Sequence, residues 1–214
     1  MGILTSDEIR DIKEKISSNV SELGKQYKSR KLSYFRDTVD YNLVEERERD
    51  GWERTQRQYK TKAEIIKEKP FSKKFEDKVW VMMYELGFRN LNVSDNLKLR
   101  YGKNSGDLQQ IDVIAVDSEV ALIIECKSSQ DYRNKDYKNY FESLPLKIDG
   151  FRKCIKEVYG ERRIKYIFAT EKQILSKADI NRLEQTKSFH MDDNATSYIQ
   201  DIIKNYKKAS KFQF

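Results

Sequence analysis

Residues 108–127 read LQQIDVIAVDSEVALIIECK. Two apolar runs, 111–116 and 120–124, are separated by Asp117-Ser118-Glu119, whose side chains favour a turn. The pattern therefore predicts a β-hairpin of two short strands. Both runs are almost wholly apolar, so each strand should be buried on both faces of a sheet.

Charged side chains interrupt this hairpin at three positions. Asp112 lies near the start of the first strand, and Glu125 and Lys127 lie at the end of the second. Side chains at positions i and i+2 of a strand point the same way, so Glu125 and Lys127 share a face while Cys126 faces the opposite side. The length of the turn then determines whether Asp112 joins them.

Two turn lengths bring Asp112 to the face of Glu125. A two-residue turn at 117–118 sets Asp112 opposite Ile123 and diagonal to Glu125, whereas a four-residue turn sets it directly opposite Glu125. An odd turn length or a β-bulge would separate the two carboxylates. With either even length, the three charged side chains form one cluster.

The predicted cluster has the composition of a metal site for phosphate chemistry. Two carboxylates about 5 Å apart in a partly buried cleft repel each other, and a divalent cation between them relieves that repulsion. Oxygen ligands suit Mg²⁺ or Mn²⁺, so we predict Asp112, Glu125 and the Cys126 carbonyl as ligands. Lys127, with a pKa lowered beside the cation, would orient or deprotonate the attacking water. The alternative is a structural ion-pair cluster at the end of the hairpin.

Composition bounds the class of protein. A chain of 214 residues can form one catalytic domain with an accessory segment. It has 42 Lys and Arg against 35 Asp and Glu, a net charge of +7, which favours a polyanionic partner such as nucleic acid. A basic surface without such a partner is the alternative.

Scarce cysteine and histidine exclude several kinds of site. Cys126 and Cys154 are the two cysteines, and their spacing does not fit a zinc site. His190 is the single histidine and lies in a polar stretch, which predicts a surface loop. No apolar run of 18 residues and no apolar export segment occurs, so we expect a cytosolic protein with reduced thiols and no membrane partner.

The first 69 residues predict a helical accessory region. An amphipathic helix should begin at Thr5 or Ser6 and end at Gly24, and its apolar face either packs on the chain itself or pairs with a second copy in a homodimer. Residues 31–44 have near-alternating polarity, which is typical of a short extended segment. The charged run 45–69 predicts a solvent-exposed helix that ends before Pro70.

Residues 70–214 predict an α/β domain that contains the hairpin. Helical periodicity occurs at 73–86, closed by Gly87, and again in three later segments, at 149–159, 176–185 and 196–206. A buried strand is expected at 164–169.

Asp112 followed by Glu125-Cys126-Lys127 resembles the PD-(D/E)xK nuclease signature, particularly that of Mrr-like restriction enzymes and Holliday-junction resolvases. The resemblance implies a restriction-endonuclease-like core, α-β-β-β-α-β, with a mixed central sheet flanked by helices. It also implies a magnesium-dependent active site of Asp112, Glu125 and Lys127. The helix FEDKVW, residues 75–80, adds Glu76, because these families often carry a Glu there.

The chain departs from that signature in two ways. Ile111 stands where the signature has Pro, and no Gln-x-x-x-Tyr follows Lys127 on the next helix, as it does in some Mrr-like enzymes. Gln109 and Gln110 precede Asp112 and could contact phosphate or metal-bound water, but a polar pair at a strand edge is the simpler interpretation.

A second, less specific resemblance covers more of the chain. The segments GWERTQRQYK (51–60), FEDKVW (75–80) and FAT (168–170), with the ending YKKASKFQF (206–214), are similar to the N-terminal nuclease-like part of bacterial DGQHR-domain proteins. That family is linked to DNA phosphorothioation and phage defence. The resemblance implies that a further C-terminal domain would follow Phe214.

Three functions therefore compete. The leading hypothesis is metal-dependent hydrolysis of DNA in restriction or phage defence. The second is a catalytically weak nuclease fold that binds DNA or senses its modification, supported by a basic, aromatic C-terminal helix with Tyr198, Lys204, Tyr206, Lys207, Lys208 and Lys211. The third treats residues 9–23 as the oligomerisation helix of a structural protein.

Overall fold

A computed structural model describes residues 3–104 and 106–211. The helices are α1 (Ser6–Lys15), α2 (Val20–Arg30), α3 (Val44–Arg49), α4 (Phe71–Glu85), α5 (Lys138–Tyr159), α6 (Lys177–Gln185) and α7 (Asp193–Lys211). The strands are β1 (Ile16–Ser17), β2 (Tyr34–Asp40), β3 (Glu53–Gln58), β4 (Lys62–Glu68), β5 (Asn90–Asn92), β6 (Lys98–Arg100), β7 (Leu108–Gln110), β8 (Val113–Val116), β9 (Val120–Asn134), β10 (Arg163–Ile174) and β11 (Phe189–Met191).

A mixed six-stranded sheet forms the centre of the molecule, in the order β1-β5-β8-β9-β10-β11. Strands β1, β5, β8 and β9 pair antiparallel, whereas β10 pairs parallel with both β9 and β11. The succession α4, β5, β8, β9, α5, β10 is the predicted α-β-β-β-α-β core. The α/β prediction, with a mixed sheet flanked by helices, is confirmed.

Helices cover both faces of this sheet, so β8 and β9 are buried on both sides as predicted. On one face Ile114 and Ile123 pack with Phe141 and Phe151 of α5. On the other face the intervening residues of both strands pack with α4, as in the cluster of Val113, Ile124, Val79, Trp80 and Met83. Burying each large apolar side chain contributes about 1.5–3 kcal/mol, so the hairpin is held firmly in the middle layer.

The predicted helix from Thr5 to Gly24 is wrong in its extent. Thr5 does cap α1, but that helix ends at Lys15, and β1 separates it from α2. Four residues lie between the helices, Ile16-Ser17-Ser18-Asn19, and the Asn19 side chain caps α2. Short polar side chains such as those of Ser17, Ser18 and Asn19 bond to nearby main-chain groups and so favour helix ends. Ile12 on the apolar face of α1 packs inside the chain, in the same cluster as Phe141 and Phe151 of α5, and Ile16 of β1 joins that cluster.

The predicted helix over 45–69 is also wrong. Only α3 is helical there, and Gly51, with φ of 81°, follows it. Strands β3 and β4 then form a separate antiparallel sheet with β2, in the order β2-β4-β3, so the extended segment predicted within 31–44 is confirmed. Ala63 and Ile65 on one face of β4 pack with Val39 and Val44.

Helix α5 is longer than the predicted 149–159, since it begins at Lys138 and runs through Pro145 without a break. An interior proline costs a helix about 3 kcal/mol or more. Burial of Phe141, Leu144 and Ile148 on both sides of Pro145 offsets that cost. Strands β9 and β10 also extend beyond the predicted ends, to Asn134 and Ile174.

The other predicted helices are confirmed within a few residues. Gly87, with φ of 104°, follows α4, and Ser176 caps α6. Helix α7 contains the predicted segment 196–206. The side chains of residues 204–214 lie outside the described part of the molecule, and with them most of the predicted basic surface. Over residues 3–104 and 106–211, none of the helices has both the length and the apolarity to cross a bilayer.

His190 lies on strand β11, so the predicted surface loop is wrong. Its ring is half-buried, and Nε2 lies 2.9 Å from the hydroxyl oxygen of Thr170. Burial lowers the pKa of His190.

A buried ion cluster fastens α2 to α4. Asp77 on α4 binds Arg30 at 2.7 Å and Lys69 at 2.8 Å, and all three residues are buried. Such clusters satisfy each buried charge only while every partner is present.

Candidate active site

The hairpin register brings the two predicted carboxylates to the same face. Val113 pairs with Ile124 and Val116 pairs with Ala121, so four residues, 117–120, connect the paired positions. The four-residue alternative is therefore confirmed, and Asp112 follows in register opposite Glu125. The side chain of Asp117 accepts hydrogen bonds from the main-chain N–H groups of Glu119 and Val120, both at 2.7 Å, which fixes the turn.

The surroundings of Asp112 disfavour the negative charge on its carboxyl group. Burial is the main cause that raises its pKa to about 7, and the nearby carboxylates of Glu125 and Glu76 raise it further. The main-chain N–H of Cys126 donates to Oδ2 of Asp112 at 2.7 Å and partly opposes the shift, as does Lys127. A carboxyl group in such surroundings favours either a proton or a cation.

Glu125 and Lys127 form an ion pair at the end of the hairpin. The side chain of Glu125 is 10% exposed, while that of Lys127 is 31% exposed. Burial disfavours the charge on Lys127, but Glu125 and Asp112 outweigh burial and hold its pKa above the usual value. The lowered pKa was predicted for Lys127 beside a bound cation, and it stays a prediction.

Glu76 approaches the same site from α4. Its half-buried carboxylate lies 3.5 Å from the ammonium of Lys73. Burial raises the pKa of Glu76, and its charge in turn raises the pKa of Asp112 and of the buried Cys126 thiol. The four predicted residues, Asp112, Glu125, Lys127 and Glu76, therefore lie in one electrostatic neighbourhood.

Gln109 and Tyr140 extend the site beyond the predicted residues. Nε2 of Gln109 donates to Oε2 of Glu125 and to the hydroxyl of Tyr140, both at 3.1 Å. The Tyr140 hydroxyl also bonds to that of Tyr166, which is buried. Gln109 and Gln110 both lie on β7, a strand of the two-stranded sheet, as the strand-edge interpretation has it. Gln109 turns toward Glu125, whereas Gln110 turns away and donates to the carbonyl of Asp95.

Gln109 and Tyr140 are thus hydrogen-bonded to each other beside the site, although one precedes the hairpin in the sequence and the other follows it. Gln109 precedes Asp112, and Tyr140 follows Lys127 on α5. The sequence signal that could have found them is the polar pair Gln109-Gln110 just before the first carboxylate.

A close approach of two backbones brings Gln109 to the site. Strands β6 and β7 form a small hairpin, and the chain at Tyr101 crosses α5 at Gly150. A Cβ on Gly150 would lie 2.2 Å from the Cα of Tyr101, so this contact requires glycine. The thiol of Cys154, one turn further, donates to the carbonyl of Arg100 at 3.1 Å.

The donor set for a cation is small. Within the part of the chain that the structure describes, no three Asp, Glu, His or Cys side chains are gathered in a metal-holding arrangement. Asp112 and Glu125 are two carboxylates on one face, and Lys127 already neutralises one of them.

No protein-family model matches the chain, and a search of curated proteins finds no match. Several solved structures are similar, among them these three. A protein from Vibrio cholerae is 13% identical with a TM-score of 0.40, over 88% of this chain and 51% of that one. A repair endonuclease from Pyrococcus abyssi is 14% identical with a TM-score of 0.33, over 66% and 65%. An EndoMS complex with double-stranded DNA is 14% identical with a TM-score of 0.27, over 62% and 51%.

The chain therefore spans about half to two thirds of the length of these proteins. At such identities and TM-scores the likeness concerns the fold, and it carries no argument about activity. The resemblance to DGQHR-domain proteins stays a prediction.

Proposed function

We propose that this chain is a metal-dependent nuclease that hydrolyses phosphodiester bonds of DNA at Asp112, Glu125 and Lys127. The observation that carries the proposal is the register of β8 and β9, which sets a half-buried acid with a pKa of about 7 opposite a second carboxylate. A lysine two positions further on the same strand shares that face. Two carboxylates that face each other in a partly buried site repel, and a divalent cation between them relieves that repulsion.

The residues fit a hard divalent cation such as Mg²⁺ or Mn²⁺. Asp112 and Glu125 would hold it, because a cation relieves the repulsion between them. The Cys126 N–H faces Asp112, and in an antiparallel pair the C=O of a residue faces the same neighbour, so the Cys126 carbonyl suits a third ligand. Glu76 would act as an outer ligand. A cation there supplies positive charge to a phosphoryl oxygen and favours ionisation of water.

Lys127 would act as a charge-stabilising group in this reaction. Its pKa is raised, so the side chain carries a proton at neutral pH and donates hydrogen bonds. An ammonium beside the reacting phosphate stabilises the negative charge that develops in the transition state. Gln109 would keep Glu125 in position through the bond to its Oε2.

DNA is the substrate we propose because the net charge of +7 favours a polyanion. Restriction or phage defence is the biological setting that the sequence resemblance implies, and it is part of the same proposal.

The test is cleavage of plasmid DNA with Mg²⁺ or Mn²⁺. Asp112→Ala and Lys127→Ala should each reduce the rate by at least ~100-fold while the proteins stay folded. The matched controls are Asp149→Ala and Lys153→Ala, which remove an exposed ion pair on α5 and should cleave at the wild-type rate. Undiminished cleavage by both site variants would contradict the proposal.

One observation favours a second function. Lys127 forms an ion pair with Glu125, which balances part of the charge that would attract a divalent cation, and such a site suits a nuclease fold that binds DNA or senses its modification with little catalysis. This alternative predicts DNA binding that a chelator does not change and no cleavage with any divalent metal. The nuclease proposal predicts cleavage that stops when EDTA is added.

A further inference from the structure

Lys147 on α5 is a second lysine beside the candidate active site. Its ammonium lies 4.5 Å from the ring centroid of Tyr140 and 5.9 Å from that of Tyr101. The Tyr140 hydroxyl accepts a hydrogen bond from Gln109, which also donates to Glu125. Lys147 therefore connects to the carboxylate of Glu125 through the ring of Tyr140 and the side-chain amide of Gln109.

The two tyrosines hold this cation without neutralising it. Among the residues that the structure describes, no carboxylate lies within ion-pair distance of the Lys147 ammonium. Other lysines of α5 differ, since Lys153 pairs with Asp149 and Lys156 pairs with Glu161. An ammonium that rests on aromatic faces has no ion-pair partner to displace when an anion arrives.

The electrostatics of Lys147 place it within reach of the catalytic charges. Burial lowers its pKa, the Glu125 carboxylate raises it, and the Lys127 ammonium lowers it. Lys147 on α5 therefore interacts electrostatically with both Glu125 and Lys127 at the end of the hairpin.

We propose that Lys147, stacked on Tyr140 and Tyr101, binds a phosphate of the nucleic-acid backbone and positions the strand against Asp112 and Glu125. The ligand is a phosphodiester anion, and the inference rests on the proposed nuclease function. Lys147 would then be a positioning residue that fixes the strand, while Lys127 acts at the reacting phosphate.

Two chain features keep Lys147 in place. Gly150, one turn further along α5, allows the backbone at Tyr101 to approach the helix closely. The Tyr140 hydroxyl is bonded to both Gln109 and Tyr166, so its ring has little freedom to move. A preformed cation site loses less entropy when it binds phosphate than a mobile surface lysine does.

The test compares Lys147→Gln, Lys147→Arg and the matched control Lys153→Gln. The first readout is binding of a short fluorescein-labelled duplex DNA in EDTA, measured over a series of salt concentrations. Each lost phosphate contact reduces the slope of log K against log salt by ~0.9. We expect that reduction for Lys147→Gln, and the wild-type slope for Lys147→Arg and for Lys153→Gln.

The second readout is single-turnover cleavage in Mg²⁺ at saturating DNA. Lys147→Gln should be slower by ~10–100-fold, since a misplaced substrate reacts slowly even when it is bound. Lys153→Gln should cleave at the wild-type rate, and Lys147→Arg should recover most of it. Circular dichroism melts of all three variants check that folding is unchanged.

The outcomes separate this inference from the nuclease proposal. If the wild type cleaves DNA and Lys147→Gln matches it in both slope and rate, the phosphate site is wrong and the nuclease proposal stands. If the wild type never cleaves but Lys147→Gln reduces the salt slope, the phosphate site stands and the nuclease proposal falls. Equal losses in Lys147→Gln and Lys153→Gln, or no DNA binding by the wild type, would overturn the inference.

Discussion

The main-chain N–H of Cys126 points at Oδ2 of Asp112, 2.7 Å away, across the end of the β8–β9 pair. This bond fixes the orientation of the Asp112 carboxylate, although its pKa remains near 7 because burial and Glu125 dominate. The hydrogen bond thus holds the carboxylate in position within the fold. Because the folded protein disfavours the charge on Asp112, the free energy of unfolding should depend on pH.

Asp112→Asn should stabilise the protein at about pH 8 and much less at about pH 5. The folded pKa of Asp112, about 7, exceeds its ordinary value of 3.8, so the native state binds the proton more tightly than the unfolded state does. Stability is therefore lost as pH rises between these two values, and the penalty is complete above pH 7. Asparagine removes the ionisation and still accepts from the Cys126 N–H.

Thermal melts at both pH values measure this effect. Each 1 kcal/mol shifts the midpoint by roughly 2–4 °C in a chain of this size. The matched control is Asp149→Asn, whose parent carboxyl is exposed and has a lowered pKa. The interpretation fails if Asp112→Asn melts below the wild type at high pH, or if its advantage is the same at both pH values.

Mg²⁺ or Mn²⁺ should raise the melting temperature of the wild type more than that of Asp112→Asn. A ligand that binds only the folded state stabilises it by RT ln(1 + [L]/Kd), and removal of one carboxylate weakens the site. Calorimetric titration of both proteins with Mg²⁺ measures the difference directly. Identical binding curves would place the cation elsewhere on the protein.

Gln109→Leu should reduce cleavage by roughly 10–100-fold, the size of effect seen when a residue that orients a metal ligand is removed. Leucine cannot donate to Glu125 or Tyr140, so the carboxylate loses its restraint. The matched control is Gln110→Leu, whose parent side chain bonds to the surface carbonyl of Asp95. Equal activities of the two variants would rule out a role for Gln109 in orienting Glu125.

Gly150→Ala should destabilise the protein by about 1–3 kcal/mol, because the added methyl group would overlap the backbone at Tyr101. Gly24→Ala is the opposite case, since a Cβ there has nothing within 4 Å in a helix. That change should stabilise by about 0.5–1 kcal/mol. Urea unfolding of both variants measures the contrast, and a stable Gly150→Ala would mean that α5 and Tyr101 can separate without loss.

Asp77→Ala should destabilise the fold by about 3–5 kcal/mol, because it leaves the buried charges of Arg30 and Lys69 without their shared partner. Glu68→Ala removes an exposed partner of Lys74 and should leave stability almost unchanged, because solvent screens exposed ion pairs. Chemical unfolding distinguishes the two. A mild effect of Asp77→Ala would show that water reaches the cluster.

The meeting of Asp112 and Glu125 was predictable because two local rules were sufficient. Strand side chains alternate, and an even number of turn residues preserves the face, so a short stretch of sequence contained the information. The core order α-β-β-β-α-β followed from apolar periodicity together with the family resemblance.

The contribution of Gln109, Tyr140 and Lys147 was not predictable in the same way. These side chains meet only after the β6–β7 hairpin crosses α5 at Gly150, a contact between segments about fifty residues apart. Such contacts leave no periodic signal in sequence.

The small sheet of β2, β3 and β4 was missed for a different reason. Most residues of β3 are charged or polar and exposed, and on β4 only Ala63 and Ile65 show an apolar alternation. Long charged side chains favour a helix by propensity, and packing of those two residues against Val39 and Val44 overrides it.

The pairing of β8 with β9 has a consequence for how this protein can change over generations. Losing or gaining a single residue within either strand, between the bend at 117–120 and the acids, would turn the residues beyond it to the other face of the sheet, and Ile114 or Ile123 would leave the cluster against α5. Length variation should therefore be confined to the bend itself, or come with a compensating bulge in the strand. The few residues between the bend and the chemistry thus limit which descendants of this chain can keep both acids on one side of the sheet.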